Sequence, residues 1–385
     1  MIPWCRVDFP PARGRPGSDL AKPVEKRPVP LDFERPDLER EMAELGAKAF
    51  HGRQVFRWLW RHGTSDFESM TNLGRDLRAR LAAHFSADAP HVESRQTSVD
   101  GTTKFLLRLA DGRHIESVYI PDTPAETFCI STQVGCAMAC AFCLTGKMGL
   151  VRHLSAGEIA GQVRALAHET GLVGSPFNVV LMGMGEPLHN YDATMTALRI
   201  LADDEGLGVH PQRVTLSTVG LVPALERLAT EPVMPNLAIS LHATTEDQRT
   251  GIVPINRKYS LADLIDACKR FPLAKRRRIT FEYVLLDGVN DAPADARRLV
   301  ALLNPIKAKV NLLPLNEAPA IGFKRPSDER VNAFARILAD RGLRVSVRRS
   351  RGRDIRAACG QLIVEGTTRS SGQTLADQLQ ESSGS

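Results

Sequence analysis

The spacing of apolar residues predicts a small helical domain near the amino terminus. Between Leu38 and Phe85 the apolar positions recur every three or four residues, in the stretches LEREMAELG, QVFRWLW and LGRDLRARLAAHF. This period places the apolar side chains on one face of each helix. The next stretch, KFLLRLADGRHIESVYIP, alternates instead and contains Asp111-Gly112, a turn signal. We therefore expect a short β hairpin after the helices.

From Phe128 onward, apolar runs alternate with helical stretches. The strand candidates are TFCIST, FNVVLMGMG, RVTLSTVG, NLAISLHA, RITFEYVLL, KVNLLPLN and RVSVRRS. The helical stretches between them are 155–169, 192–202, 261–271 and 328–341. Strands that are almost continuously apolar, separated by helices, indicate a parallel sheet curled into a full or partial (β/α) barrel. In such barrels the chemistry lies at the carboxyl ends of the strands.

The fold class that we predict is therefore α/β, and the chain divides into five segments. They are a disordered lead (1–30), a helical accessory domain (31–90), a small β segment (91–124), the barrel (125–365) and a disordered tail (366–385). The lead is rich in Pro, Arg and Gly, and the tail in Ser, Gly and Gln. Neither has the periodicity of a packed element.

Composition narrows the class of protein. The chain has 385 residues, 43% of them hydrophobic, which is enough for one large core and too many for a disordered protein. Its formal net charge of +6 permits nucleic-acid binding without demonstrating it. The sequence begins without an apolar leader and contains no apolar run of membrane-spanning length. We expect a cytoplasmic protein with no membrane partner.

Three of the seven cysteines form the strongest motif, Cys136-x-x-x-Cys140-x-x-Cys143, directly after the first barrel strand. A zinc site closed by protein needs four ligands, and no fourth ligand lies at a matching spacing. Three thiolates on one loop suit a [4Fe–4S] cluster whose fourth iron stays open. A non-catalytic zinc module that binds RNA is the alternative. Cys5 and Cys268 lie in no motif, and we expect incidental or buried thiols there.

Polar residues and glycines follow the strand candidates, where a ligand would bind. Gly183-Met184-Gly185-Glu186-Pro187 follows one strand, and its glycines allow the backbone to approach a ligand closely. Glu186 can accept hydrogen bonds from an ammonium group. Four further side chains, each at a different strand end, can hydrogen-bond ribose, carboxylate or adenine: Ser217, Ser240, His242 and Asn316.

The cysteine motif resembles the signature of radical S-adenosylmethionine (SAM) enzymes, whose fold is a partial (β/α) barrel. The resemblance implies that the open iron chelates the amino and carboxylate groups of SAM. One electron from the cluster then splits SAM into methionine and a 5′-deoxyadenosyl radical. The cofactor-binding residues that follow from this resemblance are Gly185, Glu186, Ser217, Ser240, Leu241, His242 and Asn316.

Longer stretches narrow the resemblance to the RlmN family. They are FCISTQVGCAMACAFCLTGKMG, VVLMGMGEPLHN, RVTLSTVG, LAISLHATTEDQRTGIVPIN, NLLPLNEAP and VRRSRGRDIRAACGQL, and with GRQVFRWLW and FESMTNLGRDLR the resemblance runs from about His51 to Leu362. It implies methylation of carbon 2 of an adenine in 23S ribosomal RNA, and in some cases of an adenine beside the tRNA anticodon. A Cfr-type enzyme, which methylates carbon 8 of the same ribosomal adenine, is the alternative within this class.

Carbon 2 of adenine lies between two ring nitrogens and is too electron-poor to attack the methyl group of SAM. The family resemblance implies a carrier instead: one SAM methylates a cysteine, and a second SAM supplies the radical that activates this methyl group. By its motif AACGQ, Cys359 matches the carrier. By its motif CISTQVGC, Cys129 matches the thiol that resolves the protein–RNA adduct. Glu116, in IESVYIP, matches the proton acceptor.

Basic residues are candidates for contacts with RNA phosphates. One run is 275–278, of sequence KRRR, and a second group approaches Cys359: Arg344, Arg348, Arg349, Arg351, Arg353 and Arg356. A solvated face is the alternative for any such run. The helical domain offers further candidates for RNA contacts: Arg53, Arg57, Arg61, Trp58 and Trp60. For the two tryptophans, a place in the core is the alternative. The implied partners are 23S rRNA, tRNA and a reductant such as flavodoxin.

Overall fold

A computed structural model describes residues 27–122 and 125–364. Cys5 and the predicted tail lie outside the described residues, as does the predicted lead up to residue 26. Residues 27–30, which the predicted lead includes, are described and run into a short 3₁₀ helix, Pro30–Asp32. Leu31 is fully buried there. Packing against the rest of the chain therefore begins within a few residues of the first described position.

The helices alternate with strands over most of the described chain. The helices are α1 (Arg35–Glu44), α2 (Ala49–Trp60), α3 (Arg75–His84), α4 (Leu144–Met148), α5 (Ala156–Glu169), α6 (Tyr191–Ala202), α7 (Val222–Leu228), α8 (Glu246–Ile252), α9 (Leu261–Arg270), α10 (Pro293–Leu303) and α11 (Asp328–Ala339). The strands are β1 (His91–Thr97), β2 (Thr103–Arg108), β3 (His114–Ile120), β4 (Thr127–Cys129), β5 (Gln133–Gly135), β6 (Leu150–His153), β7 (Asn178–Leu181), β8 (Val214–Thr218), β9 (Asn236–Ser240), β10 (Ile279–Leu285), β11 (Ala308–Pro314) and β12 (Arg344–Val347).

Within the described ranges, ten of these strands form one sheet in the order β1-β2-β3-β4-β7-β8-β9-β10-β11-β12. Within this sheet the seven strands β4, β7, β8, β9, β10, β11 and β12 run parallel. Strands β1, β2 and β3 are antiparallel to one another, and β3 pairs antiparallel with β4. The ends of the sheet do not pair with each other, so the barrel is partial, and β12 is an open edge. Strand β10, near this edge, is buried along its whole length, as a strand covered on both faces must be.

The predicted hairpin is strands β2 and β3, and its turn contains Asp111 and Gly112. It is not a separate unit, because β1 extends it on one side and β4 pairs with it on the other. β1 falls within the predicted β segment 91–124, although its own residues are too polar to indicate a strand. The short hairpin of β5 and β6, together with helices α7, α8 and α10, was not predicted.

The helical domain packs directly on the barrel. Trp60 is fully buried and contacts the ring of Phe56, so it belongs to the core. Trp58 donates a hydrogen bond from Nε1 to Oδ1 of Asn72 at 2.6 Å. Arg57 pairs with Glu205, on a loop that follows α6, and Arg61 donates to a carbonyl of the same loop. Arg57 and Arg61 therefore connect the helical domain to the barrel. The sequence had suggested RNA contacts for them instead.

No helix among the described residues is long and apolar enough to cross a membrane.

Candidate active site

The three-cysteine loop connects β5 to α4 and is fixed at both flanks by backbone hydrogen bonds. The amide of Cys136 donates to the carbonyl of Gly149 at 2.9 Å. The amide of Ala141 donates to the carbonyl of Ile252, also at 2.9 Å. The amide of Cys143 closes a turn onto Cys140 at 3.1 Å. A loop held in this way directs all three thiols toward one cavity.

The three thiols lie close enough to influence one another electrostatically. Burial raises the pKa of Cys136 to about 12 and the pKa of Cys140 well above its usual value. The charges of neighbouring thiols raise both values further. Three thiolates would therefore repel each other strongly unless positive charge compensates them.

Arg249 supplies one positive charge beside this loop. It is fully buried, and its guanidinium lowers the pKa of Cys140, against the dominant effect of burial. It donates to the carbonyls of Leu241 and Val219 and to the side chain of Asn256. Among the described residues it forms no ion pair with a carboxylate. A buried charge without a carboxylate partner is costly, and an anionic group held by the cysteines would offset that cost.

The donor set fits an iron–sulfur cluster better than a single metal ion. In the described part of the chain, no three His, Cys, Asp or Glu side chains are placed to hold one ion. Structural zinc needs four ligands, each about 2.0–2.3 Å from the metal. Three thiols on one loop that open onto one cavity, two of them buried and Cys143 half-buried, suit a cubane with three cysteine ligands.

The thiols face an open cavity that encloses about 1070 Å³ at the carboxyl ends of the parallel strands. All but one of the expected cofactor-binding residues line it: Gly185, Glu186, Ser217, Ser240, His242 and Asn316. Leu241 does not line it and is fully buried. Its amide donates to the carbonyl of Glu282 at 3.0 Å, so it fixes the strand beneath the cavity.

Gly185 is a glycine because the chain packs against itself there. Its φ is +106°, and a Cβ at this position would lie 2.7 Å from Cβ of Gln133 and 2.8 Å from Oγ1 of Thr132. The close approach is thus to the loop after β4. Gly185 also lines the cavity, and its close approach to a ligand stays a prediction.

Glu186 and His242 are both bonded to backbone amides at the cavity wall. Burial raises the pKa of Glu186 to about 7, although amides of Val219 and Leu188 donate to its carboxylate. His242 accepts from the amide of Val284 at 3.0 Å, and burial lowers its pKa to about 3. The imidazole is therefore neutral and positions the end of β10.

Cys359 lies in the same cavity, although it is more than 200 residues from the cysteine loop. The segment that carries it has no helix or strand and is held by hydrogen bonds. The amide of Leu144 donates to the carbonyl of Gly360 at 2.8 Å, and Oγ1 of Thr145 donates to the carbonyl of Leu362 at 2.6 Å. Gly360 has φ +79°, a conformation that favours glycine after the cysteine.

The other two expected catalytic residues lie outside the cavity lining. Cys129 is buried in β4, and the charge of Cys359 contributes to its raised pKa, so the two thiols are neighbours. Glu116 is buried too, on strand β3. Its carboxylate pairs with Lys104 at 2.8 Å and accepts from the amide of Ile363 at 2.8 Å. In this structure it anchors the segment that carries Cys359.

Glu282 is a cavity residue that sequence reasoning missed, because it lies within the apolar strand β10. Its Oε1 accepts from Nδ2 of Asn311 at 2.9 Å. Glu282 also lines the cavity. Cys359 is exposed within the open cavity, but the surrounding protein still desolvates its thiol and raises the pKa of Cys359 to about 11. The charge of Glu282 raises this pKa further, while Arg348 opposes it. The only signal in the sequence for this cavity residue is that Glu282 is a single charged residue within an otherwise apolar strand.

Of the basic residues predicted to contact RNA, some bond to other parts of the protein and some are exposed. Arg348 faces Glu282, and Nη1 of Arg351 donates to the carbonyl of Asp100 at 3.2 Å. Arg349 and Arg353 are exposed. In the run 275–278, Arg277 donates to the carbonyl of Met234 at 3.0 Å and is used internally.

Comparisons with known proteins agree with this architecture. Residues 130–300 match the radical SAM superfamily, and residues 31–86 match the ribosomal RNA large subunit methyltransferase N-terminal domain. A crystal structure of a radical SAM methyltransferase from Sphaerobacter thermophilus is 46% identical, with a TM-score of 0.83 over 87% of this chain and 99% of that chain. The partial barrel and its cysteine loop thus define a radical SAM fold, as predicted.

Curated relatives identify the family. A dual-specificity RNA methyltransferase RlmN from Geobacter sulfurreducens is 50% identical over 85% of this chain and 89% of its own length. Another, from Syntrophobacter fumaroxidans, is 46% identical over 87% of this chain and 97% of its own length. The chain belongs to the RlmN family of radical SAM RNA methyltransferases.

The contact between Glu282 and Cys359 has a measurable consequence. Glu282→Gln removes a negative charge that disfavours the thiolate, so we expect the pKa of Cys359 to fall by about half a unit or more. Peptide-resolved alkylation of the iron-free protein by iodoacetamide, followed from pH 7 to 11, measures this value. Glu169→Gln, on the outer helix α5, should leave the profile unchanged. An unshifted profile in Glu282→Gln would mean that the two groups do not interact.

Proposed function

We propose that the chain methylates carbon 2 of an adenosine in 23S ribosomal RNA, and of an adenosine next to the anticodon in some tRNAs, with Cys359 as the methyl carrier. The observation that carries this proposal is the position of Cys359 in the cavity onto which the three cysteines of the loop open. The names of the curated relatives, dual-specificity RNA methyltransferases, support the two RNA substrates. We place the reaction in the cytoplasm, where these RNAs occur.

Cys136, Cys140 and Cys143 would hold a [4Fe–4S] cluster, and Arg249 would balance part of its negative charge. When bound, the cluster and SAM supply a 5′-deoxyadenosyl radical after one-electron reduction by a donor such as flavodoxin. Around SAM, the backbone at Gly185 and the side chains of Ser217, Ser240 and Asn316 offer hydrogen bonds, and His242 contributes a neutral ring. Leu241 supports this wall from beneath. Glu186 can accept from an ammonium group because its carboxylate is only partly satisfied by amides.

Cys359 and Cys129 have different roles in the proposed reaction: Cys359 carries the methyl group, and Cys129 resolves the adduct with the base. The thiol of Cys359 has to lose its proton before it accepts a methyl group, because a thiolate is the nucleophile. Glu282 is the carboxylate beside Cys359 in the cavity, and we propose that it accepts the proton of the Cys359 thiol. Cys129 is the neighbouring thiol that would resolve the adduct by forming a disulfide with Cys359. The bond between the Cys359 sulfur and the methylene carbon would break in that step, and the carbon would take up a proton and stay on the base as a methyl group. The raised pKa of Cys129 keeps this thiol protonated and inert until then.

Glu116 has the family position of the proton acceptor at the base, and that role stays a prediction. Its contacts support a second role. Since its carboxylate binds the amide of Ile363, it also positions the segment that carries Cys359. A substitution there would disturb both roles at once.

Removal of one cluster ligand tests the metal assignment. Cys140→Ala should lose most of its iron and its brown colour after anaerobic reconstitution, since a cubane held by three thiolates loses a corner. Cys268→Ala is the matched control, because Cys268 is equally buried but lies on α9 outside the motif. Iron content and visible absorbance measure the result. A fully iron-loaded Cys140→Ala protein, or wild type that binds only zinc, would refute the cluster.

The two reactive cysteines should fail differently. Cys359→Ala should make no methylated adenine, although its cluster stays intact. Cys129→Ala should still load a methyl group and attack the base, and should then remain covalently joined to RNA through Cys359. Mass spectrometry of the purified proteins detects the extra methyl group and the nucleotide adduct. Product from Cys359→Ala, together with an adduct-free Cys129→Ala protein, would overturn the carrier mechanism.

A further inference from the structure

A second cleft lies at the opposite end of the barrel from the cavity. It encloses about 600 Å³ between the starts of β10, β11 and β12 and the ends of α10 and α11. Four of its lining residues are cations: Arg278, Lys307, Arg341 and Arg344. None of its lining residues is acidic. Four positive charges therefore converge on one polar concavity.

These four cations are unpaired. Across 27–122 and 125–364, none of them donates a side-chain hydrogen bond or forms an ion pair. Their neighbour Arg277, by contrast, donates to the carbonyl of Met234. Like charges so close together raise the local potential, and an anion that entered the cleft would relieve it.

Capping of the two helices does not explain the cations. Basic side chains near a helix end commonly bond its last carbonyls. Here backbone amides already occupy those carbonyls: Asn304 donates to Val300, Ile306 to Leu303, Gly342 to Ala339 and Leu343 to Leu338. The cations are therefore available to a ligand.

The cleft adjoins the open edge of the sheet, and that edge leads to the cavity. Arg344 begins β12, and Arg348 follows its end and faces Glu282 in the cavity. Four strand residues span roughly 13 Å, so an RNA backbone of a few nucleotides can run from the cleft to the cavity. Arginine forks match phosphate oxygens well, so the chemistry that suits this cleft is a phosphate group.

We propose that this cleft binds phosphates of the substrate RNA backbone, remote from the adenine that enters the cavity. The inference rests on the proposed function, since it takes the RNA substrate as the ligand. The cleft contributes affinity and register, while the cavity selects the base.

The test compares two double variants with the same change in net charge. Arg341→Gln/Arg344→Gln removes two cations of the cleft. Arg297→Gln/Arg336→Gln removes two exposed cations from α10 and α11 that do not line the cleft. Affinity for a labelled transcript of the 23S rRNA target region is measured from low to high KCl with the iron-loaded protein. Binding of inorganic pyrophosphate and methylation of Cys359 by SAM are measured in parallel.

We expect the cleft variant to lose about 1.4–1.8 units of the slope of log affinity against log salt, at about 0.7–0.9 per phosphate contact. Its affinity at low salt should fall roughly tenfold, with Cys359 still methylated, while the control variant keeps the wild-type slope. Equal losses in both variants, or pyrophosphate binding that fails without any change in RNA affinity, would overturn the proposal. Wild-type protein that methylates Cys359 but binds no RNA would overturn the proposed function as well.

Discussion

The chemistry of this protein depends on how a segment without regular structure is held against the barrel. Residues 359–363 carry the proposed methyl carrier, and their backbone bonds to α4 on one side and to Glu116 on the other. Each such bond contributes only about 0.5–1.5 kcal/mol, so the position of Cys359 rests on several of them together. The side chain of Asn316 adds a further, longer contact to the carbonyl of Cys359, at 3.4 Å.

The same contacts explain why the hairpin belongs to the active enzyme. Glu116 lies on β3, and its partner Lys104 lies on β2, so the strands that precede the barrel hold the segment that follows it. The cysteine loop is held by the carbonyls of Gly149 and Ile252, and helix α4, which follows it, bonds directly to the segment that carries Cys359. The cavity therefore brings together distant parts of the chain that are bonded to one another. The charge of Arg249, buried beside the cysteine loop, would be compensated by a bound anionic group.

Sequence alone predicted the parts of this arrangement that local pattern determines. The parallel strands, their helices and the cysteine loop follow from apolar periodicity and from the spacing of Cys136, Cys140 and Cys143. The pairing of β1 could not be predicted, because a polar strand is stabilised by its neighbours. Glu282 and the anchoring role of Glu116 depend on contacts across long separations in sequence. For Trp60 the sequence left open whether the ring contacts RNA or belongs to the core, and its full burial decides for the core. Gly185 lines the cavity, and the close packing of the chain against Gln133 is a second constraint on this glycine that the sequence did not indicate.

The central claim is that one cavity delivers a methyl group from Cys359 to carbon 2 of an adenine. Mass spectrometry of nucleosides from 23S rRNA and tRNA, compared between cells with and without this gene, tests it most directly. The account predicts 2-methyladenosine that disappears with the gene and returns with the wild-type chain. A gene-dependent 8-methyladenosine would indicate the Cfr-type reaction, and the absence of any gene-dependent methyladenosine would contradict the account.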